Sequence, residues 1–161
     1  MWTVFPSPFG HNTLSTVVFN KLVAMFSHPS FTFSLPPVSQ RGQSATSDDV
    51  AEADRLEFVG DVLISGPVAV MLYELHRKGT PNDYSKLKAV LTCNAFFANL
   101  MVRVGFVCRD GSPRIKEFAD ALEASVGLYL KDRGSQAVED WVWDNFCPLV
   151  EVALSIYQEH T

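Results

Sequence analysis

Two pairs of carboxylates carry the pattern in this chain that could do chemistry. Glu57 and Asp61 lie four residues apart in the stretch DRLEFVGDVLIS, Asp54 to Ser65. Its apolar positions Leu56, Val59, Val62 and Leu63 recur at helical spacing, so both acids fall on one helix face. Asp120 and Glu123, three apart in EFADALEASVG, repeat the arrangement. A lone acid pair is commonplace on a surface helix, and neither pair would mean much without the glycines. Gly60 sits between the first two acids and Gly127 follows the second two. A glycine inside a helix costs roughly 0.5–1 kcal/mol relative to alanine and marks close approach of another backbone. Two such helices would bring four carboxylates together. Two unit charges about 5 Å apart repel by roughly 3 kcal/mol at an effective dielectric of about 20, so the cluster calls for a cation. Hard divalent ions take all-oxygen ligands, and Mg²⁺ is held by a few carboxylates, waters and phosphate oxygens.

The elements that must position these acids read as helices. Residues 1–12, with Pro6, Pro8 and Gly10, form an irregular arm ahead of one domain, 13–161. Thr13 or Ser15 caps a first helix reaching Phe26. Ser27 to Phe33 turns at Pro29, and Leu35 to Asp49 reads as a mobile loop rich in Pro, Ser, Gly and Gln. Ser47 starts a long central helix running to about His76, bent or interrupted at Pro67, and Gly79 and Pro81 end it. Ser85 to Leu91 and Asn94 to Val104 read as two helices with a break near Thr92 to Asn94. Gly105 to Ser112 is a turn, and Pro113 to Leu130 is the second acidic helix. Ser135 to Tyr157 carries aromatic residues whose spacing fits core or interface.

Composition narrows the function classes. The chain has 161 residues and a formal net charge of −5, the wrong sign for binding nucleic acid through its whole surface. Any nucleic-acid contact must come from a local basic patch and from metal. Cys93, Cys108 and Cys147 are widely spaced, with no C-x-x-C, and fit thiols in a reducing compartment. No Glu-x-x-His occurs, which argues against a carboxylate di-iron bundle. No continuous apolar run reaches the ~18–20 residues of a membrane span. The first ten residues lack the pattern of a secretory signal. The absence of acids before residue 48 is a faint echo of a transit peptide.

RLEFVGD resembles the signature of the ribonuclease III endonuclease domain, and DALEASVGLYL resembles that family's second acidic helix. FSHPSF, Phe26 to Phe31, is similar to the short segment before the signature. YSKLKAVLTCNAFFANL, Tyr84 to Leu100, is similar to the basic helix and its successor. The resemblance runs from about Leu22 to Phe146 with the elements in the family's order.

That resemblance implies an all-α, two-fold symmetric homodimer that cleaves double-stranded RNA. It assigns Glu57, Asp61, Asp120 and Glu123 as catalytic and metal-binding acids for Mg²⁺, with Mn²⁺ as an alternative. It implies 5′-phosphate and 3′-hydroxyl products with short 3′ overhangs. Phe58 matches the aromatic residue that enters a socket on the other subunit, and Gly60 would let paired signature helices approach. Arg55, Lys86 and Lys88 are the expected phosphate contacts, and His28 with Ser30 a structural tie. The departures are Asp54 for the usual Glu, Val59 for the usual Leu, and Pro67 within the helix. Only Asp83 stands where the family often places another acid. With no separate double-stranded RNA-binding domain in view, a partner supplying that surface is expected. The expected compartment is the cytoplasm, with nuclear or mitochondrial placement open and no membrane association. The alternative function is a catalytically silent, dimeric RNA-binding or ribosome-associated scaffold.

Overall fold

The computed structural model describes residues 4–37, 47–107, 111 and 114–161. Among these residues the fold is all-α, six helices with no strand: α1 (Leu14–Met25), α2 (Ser47–Leu75), α3 (Pro81–Thr92), α4 (Asn94–Arg103), α5 (Ile115–Arg133) and α6 (Ser135–Glu159). Cys108, Pro113 and most of the expected loop between Leu35 and Asp49 lie outside the described residues.

Local signals account for the starts of α1 and α3. Thr13 caps α1 by accepting a hydrogen bond from the Thr16 amide. α3 begins four residues before its expected start, because Thr80, Pro81 and Asp83 form a capping box with proline in the first turn. Pro81, expected to end the helix before it, instead opens α3, as proline in a first turn can. Asp83 Oδ2 accepts from the Thr80 amide at 2.8 Å, while the Thr80 hydroxyl accepts from the Asp83 amide at 3.2 Å. Cys93, extended at φ −75° and ψ 155°, makes the break between α3 and α4.

The core gathers around α4 and α6. Phe96, Phe97 and Leu100 from α4 pack with Phe146 and Leu149 from α6, Phe19 and Leu22 from α1, and Val126 from α5. The arm before α1 is irregular but anchored. Phe5 joins the core edge-on to Phe118, and the fully buried side chain of Asn99 accepts from the Phe5 amide at 2.8 Å and donates to its carbonyl at 3.0 Å. On the far side, the Trp141 indole donates to the Ser34 carbonyl, holding the chain after α1 against α6.

α2 departs from the expectation that so long an apolar helix is central and buried. Between Val50 and Leu75 it is long and apolar enough to cross a membrane by length and composition, yet only 28% of its most apolar window is buried. No continuous apolar run in it reaches that length, because the longest, Val62–Tyr73, lies between Asp61 and Glu74. Gly60, Ile64, Val68, Met71 and Leu72 are buried, while Phe58, Val62, Val70 and Tyr73 are exposed. Helical geometry places the two sets on opposite sides.

Candidate metal centre

The site is made by the crossing of α2 and α5. A Cβ on Gly60 would lie 1.8 Å from the carbonyl oxygen of Glu123, and one on Gly127 would lie 2.2 Å from that of Leu56. Each glycine therefore accepts the other helix's backbone, and the residue it meets is an acid or the neighbour of one. Only glycine at both positions allows the helices so close. This corrects the expected role of Gly60. The backbone it approaches belongs to α5 of its own chain, because Gly60 faces inward and not toward a paired α2.

Across this crossing the structure brings together three of the four expected acids. Carboxylate oxygens of Glu57, Asp120 and Glu123 lie within 4.8 Å of one another. Glu123 is buried, and Glu57 and Asp120 are half-buried. Asp61 stays exposed at the edge and outside this group. Its charge is still felt. Burial first, then the charges of Asp61, Glu57 and Asp120, push the Glu123 carboxyl up to about 7. Glu57 is also raised, by burial and then by Asp120. Burial and like charge both oppose ionisation here, and a positive ion placed among these oxygens would reverse both.

One side chain already supplies some positive charge. Lys116 places its Nζ 2.7 Å from Asp120 Oδ2 and 3.8 Å from Glu57 Oε1. Lys116 is not among the expected site residues. Its spacing of four from Asp120 was the available signal. The donor set fits a hard divalent cation, since it is all carboxylate, unequally buried and short of hydrogen-bond donors.

The expected RNA contacts divide. Arg55 is exposed but paired with Glu52 at 3.0 Å, and Lys131 reaches the same carboxylate at 3.3 Å. Lys86 and Lys88 are exposed and form no ion pair among the described residues, and the same holds for Arg77 and Lys78 in the turn before α3. The sequence reading missed this second pair. Asp83, the one acid available for the loop role, has both oxygens engaged. Tyr157 donates to Oδ1 at 2.5 Å, and Thr80 holds Oδ2 through its amide and hydroxyl. These bonds pull Asp83 down to about 2 and push Tyr157 up to about 12, and they hold Asp83 as the cap of α3. His28 Nδ1 accepts from the Ser30 amide at 3.1 Å and lies 2.6 Å from its hydroxyl, a tie within one turn.

The chain is similar to curated proteins called Ribonuclease 3. It is 29% identical to that of Cupriavidus pinatubonensis over 131 residues, which cover 75% of this chain and 51% of the relative. It is 30% identical to that of Moorella thermoacetica over 108 residues, covering 61% and 46%. To that of Wolbachia pipientis it is 28% identical over 117 residues, covering 66% and 50%. The chain carries a ribonuclease III family domain. No family model matches the chain. The chain spans about half the length of the curated relatives it matches. The two motifs that resemble the ribonuclease III signature are the two helices that cross at Gly60 and Gly127.

Proposed function

We propose that this ribonuclease III family chain is a metal-dependent endoribonuclease acting on double-stranded RNA. The observation that carries the reading is the convergence of Glu57, Asp120 and Glu123 within 4.8 Å, with Glu123 buried and pushed up to about 7. Glu57, Asp120 and Glu123 would hold Mg²⁺, or Mn²⁺ in its place, and Asp61 would complete the shell from the solvent side. The bound ion would supply an activated water and charge stabilisation for in-line displacement at phosphorus. Glu123, ionised once the cation is in place, anchors the site from its buried side. Its partners face the solvent, where a phosphate backbone can approach. Cleavage leaves 5′-phosphate and 3′-hydroxyl ends.

The exposed apolar face of α2 suits a homodimer. Phe58, Val62, Val70 and Tyr73 would be shared between two copies about a two-fold axis, with Phe58, 78% exposed, as the protruding side chain. Two sites on opposite strands would give short 3′ overhangs. Lys86 and Lys88, with Arg77 and Lys78 nearby in sequence, would contact phosphates, and Arg55 would do so on release from Glu52. Because the net charge is −5, these contacts are local, and a separate RNA-binding partner would add affinity.

The test is incubation of the purified protein with a labelled RNA duplex at low salt, with Mg²⁺ or EDTA, beside Glu123→Ala. The expected result is cleavage of duplex but not single strands, lost with EDTA and in the variant. Bound but intact RNA with every divalent ion would replace the enzyme with an RNA-binding scaffold.

A further inference from the structure

Among the described residues the carboxylate cluster meets one cation, and the geometry of that contact has consequences for metal binding. Lys116 lies one helical turn before Asp120 on α5 and reaches across the crossing to α2. Its Nζ stands 2.7 Å from Asp120 Oδ2 and 3.8 Å from Glu57 Oε1. Those two residues are also two of the three whose oxygens lie within 4.8 Å of one another. An ammonium bridging them and a divalent ion shared by them need the same oxygens. The lysine side chain is 73% exposed, so it can swing into solvent without breaking any packing.

We infer that Lys116 is a built-in counter-ion that holds the cluster closed before metal binds and competes with the divalent cation for Glu57 and Asp120. Glu123 has no such partner. Its carboxylate makes no hydrogen bond or ion pair among the described residues, so the competition is confined to the two solvent-facing ligands. An ammonium is a compact, strongly hydrated charge on a flexible stem, suited to leave when a doubly charged ion arrives. The device offsets repulsion among acids crowded at a glycine crossing in metal-free protein. It also sets a threshold, because the lysine must be displaced before the shell is complete.

The inference rests on the proposed metal centre, and Mn²⁺ binding to the intact chain separates the two. Mn²⁺ titrations by electron paramagnetic resonance and calorimetry, with no RNA present, would compare the native chain with Lys116→Met, Lys116→Arg and Glu123→Gln. Removing one positive charge about 4 Å from the ligands should tighten Mn²⁺ binding by roughly tenfold. Lys116→Arg should keep the native affinity, and Glu123→Gln should lose most of it. Without metal, Lys116→Met should melt at lower temperature than the native chain, and saturating Mn²⁺ should erase the difference. Unchanged or weaker Mn²⁺ binding in Lys116→Met, with Glu123→Gln impaired, would overturn the competition and leave the metal centre standing. No Mn²⁺ binding to any variant would overturn both.

Discussion

α2 and α6 are the two long helices of this chain, 29 and 25 residues, each apolar and each carrying an internal proline. They are used in opposite ways. α6 buries ten residues, among them Trp141, Phe146 and Tyr157, and displays no exposed large hydrophobic side chain. α2 carries six of the eight exposed large hydrophobics among the described residues: Val50, Phe58, Val62, Val70, Tyr73 and Leu75. A helix apolar on all sides needs partners on all sides. α6 buries its apolar face in its own chain and turns Glu139, Asp144 and Glu151 to solvent, whereas α2 packs one face within the fold and leaves apolar side chains exposed on the opposite face. The difference separates an element that holds the fold from one that builds the site and presents a surface.

The largest effect should come from the buried helix. Phe146→Ala removes a fully buried ring that touches Phe33, Phe97 and Trp141 edge-on, and should cost about 3–5 kcal/mol in denaturant unfolding. The equivalent truncation on α2, Phe58→Ala, should change the stability of the isolated subunit by no more than about 0.5 kcal/mol. Its effect should appear in sedimentation, as a shift from dimer toward monomer. Equal losses of subunit stability in the two variants would break the contrast.

The inner face of α2 gives the next effect. Gly60→Ala forces a methyl group onto the Glu123 carbonyl and should cost about 3 kcal/mol by pushing the helices apart. Gly66→Ala on the same helix, where an added Cβ meets nothing within 4 Å, should be neutral or slightly stabilising by thermal melting.

Acidity sharpens the comparison further. The Glu123 carboxyl is raised in the folded chain from near 4.5 to about 7, so the fold holds its proton more tightly than the unfolded chain does. Its contribution is fully present below pH 4.5 and is lost as pH rises to about 7. Metal-free protein should therefore lose stability across that window, and Glu123→Gln should flatten the profile. Asp83 runs the other way. Held near 2 by Tyr157 and Thr80, it contributes above pH 4 and loses that contribution as pH falls toward 2. Asp83→Asn should cost about 1 kcal/mol from a weakened cap, and it should remove the acid-side slope.

Much of this was legible in the chain itself. Periodicity gave the two acidic helices, and glycine within helical patterns announced a crossing. The break at Cys93, the Thr13 cap and the start of α6 at Ser135 follow local rules. The start of α3 was also written locally, in Thr80, Pro81 and Asp83, but proline there reads as a stop or a start until the capping partners are weighed together.

What only the tertiary structure decided is which surface each side chain meets. Spacing put Glu57 and Asp61 on one face, but the crossing at Gly127 and Leu56 drew Glu57 into the cluster and left Asp61 exposed at its edge. Gly60 was readable as a close approach, though not as one to α5. Lys116 and Asn99 acquired their roles from residues 59 and 94 positions away, and Asp83 is engaged by Tyr157, 74 positions on. Local sequence fixes a residue's angle around its own helix through hydrogen bonding and sterics. The neighbour facing that angle is set by how six helices share one core.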